Sequence, residues 1–218
     1  MKASLTLLVC LSVLGGCNDS GGGETITTTS SSEPNHERTE DRIDQLTVAP
    51  ERPRAGYDRN LFEHWIDADT DGCDTRREVL ITESLEPLTI GPQCSLTGGR
   101  WRSRFDATTT TQASDLDIDH LVPLAEAWDS GADNWTATRR RRFANDLDYD
   151  GTLIAVTASA NRSKADQDPA TWKPPERTYW CTYANTWTTV KLRWNLTADP
   201  IEIDAIRGIT DTCPDEDP

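Results

Sequence analysis

Histidine is scarce in this chain, three in 218 residues, so chemistry that needs an imidazole near neutral pH has few places to go. His36 lies in a stretch without core-forming residues, which leaves His64 and His120 as general-base candidates. Base is scarce too: 22 Lys and Arg stand against 37 Asp and Glu, a net charge of −15. An acidic surface repels phosphate at low salt, which excludes diffuse adsorption to a polyanion and demands a local basic patch for any nucleic-acid contact. Lysine is especially sparse beside Asp and Thr, a composition suited to high salt, where long-range repulsion is screened. No apolar run is long enough to cross a bilayer as a helix. Close cysteine pairs are missing as well, which argues against structural zinc.

The longest apolar stretch opens the chain, MKASLTLLVCLSVLGGC. A lysine near the start, a short apolar core and small residues before Cys17 read as an export signal, residues 1–16. The LGGC ending resembles a bacterial lipobox, which makes Cys17 the lipidated first residue and the lipid the chain's link to a membrane. Without Cys10 and Cys17, four cysteines remain, and an even number in an exported chain implies two disulfides. Sequential pairing, Cys73–Cys94 and Cys181–Cys213, is expected. It is one of three connectivities, and spacing alone does not choose among them.

Residues 17–54 are rich in Ser, Thr and Glu and poor in aromatics, and they read as a disordered tether. The texture changes at Tyr57, and all eight tryptophans lie beyond it, so a folded domain is expected over 55–218. YDRNLFEHW (57–65) reads as a first helical packing element, with His64 a packed or solvent-facing histidine. DADTDGCDTRRE (67–78) fits the calcium-loop pattern, with Asp67, Asp69, Asp71, Gly72 and Glu78 in register. Two readings stand side by side there, a Ca²⁺ site or a solvated acidic turn held by Cys73.

Residues 76–90 read as helix and then extended chain. RWRSRF (100–105) alternates as a strand with one basic face. In residues 115–120, Leu116 and Ile118 alternate with aspartates, as in a half-buried strand. Asp119 and His120 then fall on opposite faces, so a bend is expected where the strand ends before Pro123. A short helical turn at 124–128 follows. WTATRRRRFAND (135–146) reads as a helix with Trp135 and Phe143 inward; its arginines are a candidate basic patch or partners for nearby acids. After a turn at 148–151, TLIAVT (152–157) is a core strand. SANRSKADQDP (159–169) is a short helix with Ser159 as N-cap and Asn161 and Lys164 on one face. The fold class is therefore α+β: one domain with a ββα core at about 114–170, additional helices and two disulfides.

Together DIDHLVPLAEAWDSGA (117–132), RRFAND (141–146), LIAVT (153–157) and NRSKADQDPATWKPP (161–175) resemble an HNH-type, ββα-metal endonuclease. The closer likeness is to secreted bacterial proteins related to the C-terminal domain of GmrSD restriction enzymes, across roughly 57–213. The resemblance implies that His120 is the general base and that Asp119 and Asn161 hold one Mg²⁺ or Mn²⁺. It implies Asp117 as an outer ligand, and Arg162 and Lys164 near the phosphate. Thr152 stands where many members carry an asparagine whose carbonyl orients the histidine. The expected activity is non-specific cleavage of DNA or RNA outside the membrane. The competing reading is a lipid-anchored, calcium-binding adhesion or scaffold module. No protein partner is legible.

Overall fold

The computed structural model describes residues 35–214, with side chains from Thr39 onward. The export signal, Cys17 and the tether up to residue 34 lie outside the described residues, as does the side chain of His36. Helix α1 (Asn35–Ile43) packs against two C-terminal helices. Ile43 and Leu46 are buried, and the next residues form β1 (Thr47–Val48). The folded part thus starts some twenty residues earlier than composition suggests. A charged, aromatic-free segment can still fold when a few apolar residues find a prepared surface.

Segment 57–65 is not a helix. It holds one 3₁₀ turn, Arg59–Leu61, and otherwise runs as loop, with Asp58 accepting from the Asn60 amide. Its apolar residues are consumed by side-on packing: Phe62 is fully buried, with its ring 6.3 Å from Phe143. Helix α2 (Thr75–Thr82) follows, capped by Asp74, and a hairpin pairs β2 (Leu88–Gly91) with β3 (Ser95–Gly98). The expected strand over 100–105 shrinks to β4 (Trp101–Arg102), paired with β5 (Thr109–Thr110). Its basic face is mostly neutralised, since Arg100 pairs with Glu86 and Arg104 with Glu83.

The centre is an antiparallel pair, β6 (Leu116–His120) and β7 (Leu153–Thr157), in register from Leu116 opposite Thr157 to His120 opposite Leu153. Leu116, Ile118, Leu153 and Ala155 pack on α2 and Trp101, while Ile154 and Val156 enter the main core. Between the strands lie α3 (Leu124–Asp129) and α4 (Ala137–Ala144). Helix α5 (Ala158–Lys164) leaves β7 directly. Its N-cap is Thr157, whose hydroxyl accepts from the Ala160 amide, and not Ser159; the helix starts two residues earlier than the sequence suggests.

Helix α6 (Trp180–Trp194), β8 (Thr197–Ala198) and α7 (Pro200–Thr210) complete the fold, with β8 pairing in parallel to β1. Arg42 reaches Asn185 on α6, and Arg207 on α7 reaches Asp44, so the first and last helices of the described residues are tied together. The disulfides are Cys73–Cys94 and Cys181–Cys213, with Cα–Cα distances of 5.1 and 5.7 Å. Among the described residues, no helix is long and apolar enough to cross a membrane.

Candidate active site

Strand β6 delivers its last two side chains to one cavity of about 310 Å³, edged by Arg59, Asp119, His120, Asn161, Arg162 and Asp166. Pairing stays regular through His120, so the expected bend is absent. Asp119 turns toward α5 and His120 toward α4, as strand geometry requires. Both still reach the cavity because they stand at the strand's end.

His120 is buried, and its Nε2 lies 2.9 Å from the Ala144 carbonyl. A carbonyl only accepts, so Nε2 carries the hydrogen and Nδ1 keeps its lone pair. Ala144 is the last residue of α4, and its carbonyl is one of those a helix leaves without an internal partner. This contact does the orienting expected of Thr152, whose hydroxyl instead donates to Asp146 at 3.0 Å. Burial pushes His120 down to about 3, against the pull of the Ala144 carbonyl. The ring is therefore neutral at physiological pH. Trp65 lies over it at 5.5 Å between centroids, and the half-buried His64 ring is 6.4 Å away. His64 thus stands beside the site, with its Nδ1 committed to the Phe62 carbonyl.

Lys164 is not among the residues that line this cavity. It is fully buried, with Nζ 2.9 Å from the Asp119 carboxylate and 3.0 Å from the His120 carbonyl. Its place is behind the site, where it compensates a buried carboxylate and fixes the strand end. Burial pushes Asp119 up and Lys164 down, and their mutual attraction opposes both shifts.

The donors fit a hard cation. Asp119 Oδ2 is buried without a hydrogen-bond partner, although Lys164 is close. The Asn161 amide nitrogen donates to Asp117 Oδ2 at 3.0 Å, which leaves the Asn161 carbonyl oxygen as an acceptor. Carboxylate and amide oxygens suit Mg²⁺ or Mn²⁺, with water completing the shell. Asp117 accepts that bond and is not among the residues that line the cavity.

The arginines of α4 make a different use of their charge than expected. Arg139 donates to the Trp194 carbonyl, Arg140 to those of Trp135 and Leu61, and Arg141 faces Glu63. Asp146 is matched by Arg193 instead. Arg59 is the cavity residue that sequence reasoning missed; no spacing links a lone arginine in a loop to a strand sixty residues on.

In the acidic loop, ligand atoms of Asp67, Asp69 and Asp71 lie within 4.8 Å of one another, and Glu78 groups with Asp71 and Cys73. Asp67 accepts from the Gly72 amide and Asp71 from that of Cys73. Burial, followed by repulsion from the three aspartates, raises Glu78. None of these residues edges the His120 cavity.

The family model for "GmrSD restriction endonucleases, C-terminal domain" matches residues 77–201. A relative from Arthroderma benhamiae, named "Uncharacterized secreted protein", is 42% identical over 180 residues, covering 83% of this chain and 87% of its own. No solved structure gives a significant match.

Proposed function

Because this chain belongs to the family of the C-terminal domain of GmrSD restriction endonucleases, we propose that it is an exported, metal-dependent endonuclease cleaving DNA or RNA without sequence preference. The observation that carries this reading is the cavity that a neutral His120, Asp119 and Asn161 line together, with His120 Nε2 tied to the Ala144 carbonyl and Asp119 Oδ2 paired with the buried Lys164 Nζ at 2.9 Å. A divalent cation held by Asp119 and Asn161 would supply charge neutralisation at the phosphate and the leaving oxygen. His120 Nδ1 takes a proton from the attacking water. The new bond joins that water's oxygen to phosphorus, and the bond from phosphorus to the 3′-oxygen breaks, that oxygen taking up a proton from solvent water. The ends are a 5′-phosphate and a 3′-hydroxyl. The Ala144 carbonyl holds the imidazole in the tautomer this requires and stabilises it once protonated.

Export agrees with the relative's description as secreted, and anchoring through a lipid on Cys17 completes the localisation we propose. The acidic loop takes no part in this chemistry. The test is plasmid cleavage in Mg²⁺ or Mn²⁺, with and without EDTA, beside His120→Ala. Cleavage that EDTA abolishes and that falls about 10²–10⁴-fold in the variant is expected. Wild type and variant leaving plasmid equally intact would sink the reading.

A further inference from the structure

An acidic protein that handles a polyanion must concentrate its free positive charge somewhere. Most described arginines are spent on carboxylates, carbonyls or rings. Four make no hydrogen bond, ion pair or ring contact among the described residues: Arg59, Arg102, Arg142 and Arg162. Two of these, Arg59 and Arg162, edge the His120 cavity. In a chain with 37 acidic and 22 basic residues, two guanidinium groups that make no salt bridge edge one small cavity, where Arg59 also attracts the buried Asp119 carboxylate, and such a concentration of positive charge calls for an anion.

Arg59 is also held in place. Asp58 accepts from the Asn60 amide at 2.8 Å and shapes the turn that carries it. Phe62 anchors the segment in the core. Arg140 donates to the Leu61 carbonyl at 3.3 Å, and Asn145 donates to the Glu63 carbonyl while accepting from the Ile66 amide. The α4 arginine and the α4 cap therefore fasten the loop that presents Arg59. The one exposed acid in the cavity, Asp166, lies 3.7 Å from Arg54, which offsets part of its charge.

We propose that Arg59, supplied by a segment upstream of the family match, joins Arg162, which the resemblance already sets near the phosphate, in a two-armed clamp for the backbone phosphate of the nucleic acid. This rests on the nuclease reading and extends it to how substrate is held. A planar guanidinium on each side suits the two non-bridging oxygens of a phosphodiester. The clamp reads backbone only and gives no sequence preference.

The test compares Arg59→Gln with Arg102→Gln, which removes the same charge from an equally unmatched arginine edging a separate cavity. Binding of a labelled duplex oligonucleotide in EDTA and its kcat/KM in Mg²⁺ are measured across a NaCl series. Arg59→Gln is expected to weaken both about tenfold at low salt and to lower the log–log salt slope by about one. Arg59→Lys should keep the slope, and Arg102→Gln should stay within about twofold of wild type. If Arg59→Gln and Arg102→Gln coincide while wild type cuts, the clamp is wrong and the nuclease reading stands. If wild type neither binds nor cuts nucleic acid, both fall together.

Discussion

Lys164 and Asp119 are a fully buried charge pair directly behind the proposed catalytic histidine. Two charges withdrawn from water are tolerated only while each compensates the other, so loss of one partner leaves an uncompensated charge. Lys164→Met is expected to cost about 3–5 kcal/mol in urea unfolding. Adding Asp119→Asn should restore much of that stability, while leaving the chain without its proposed metal ligand. Strictly additive losses in the double variant would show that the pair is not coupled. The residues of this site were unevenly legible in the sequence. Asp119, His120 and Asn161 come as a spaced signature on predictable elements. That Lys164 shares a face with Asn161 was also readable. Its burial was not, because Phe105, whose ring lies 5.9 Å from its Nζ, comes from a distant part of the chain. The orienting partner of His120 is a backbone carbonyl, and no residue type encodes a carbonyl.

The elements divide in the same way. Strands β6 and β7 announce themselves by alternation and by an apolar, β-branched run, and both form where expected. Helix α1 does not. Its nine residues, NHERTEDRI, contain one apolar side chain, and such a peptide has no helical stability of its own. It forms because Ile43 and Leu46 dock on α6 and α7, and because Glu40 and Asp44 meet Thr210 and Arg207. The 57–65 loop fails in the opposite sense: its aromatics suggest a helical face, but Tyr57 and Phe62 cluster with Trp128 while Trp65 packs on His120. If α1 belongs to the folded unit, Ile43→Ala should destabilise the protein by about 2–4 kcal/mol. In a tether the same change would do nothing. Denaturant midpoints of the two proteins decide between them, and equal midpoints would return α1 to the tether.

At the scale of the molecule, one buried lysine joins the layers. Lys191 on α6 donates to Glu126 on α3, to Glu202 on α7 and to the Thr197 carbonyl in β8. One positive charge cannot balance two carboxylates, and their environments separate them. Burial lifts Glu202 to about 7, with Glu126 adding to the lift; at Glu126 burial pushes the same way, but Lys191, with the Ser130 hydroxyl and Arg54, outweighs it and holds the carboxyl below its usual range. Between about 4.5 and about 7, Glu202 keeps its proton in the folded chain, whereas the unfolded chain has released it. Stability from this group therefore declines as pH rises through that window. Glu126 works in reverse, lending stability above its unfolded value that is lost as acid protonates it. Glu202→Gln keeps the neutral form at every pH and removes the decline. Relative to wild type, the variant should gain up to roughly 3 kcal/mol between pH 5 and pH 8 in urea unfolding, the equivalent of that lifted pKa. A difference between the two proteins that does not change with pH would mean Glu202 is ionised throughout, with both carboxylates sharing Lys191 as anions.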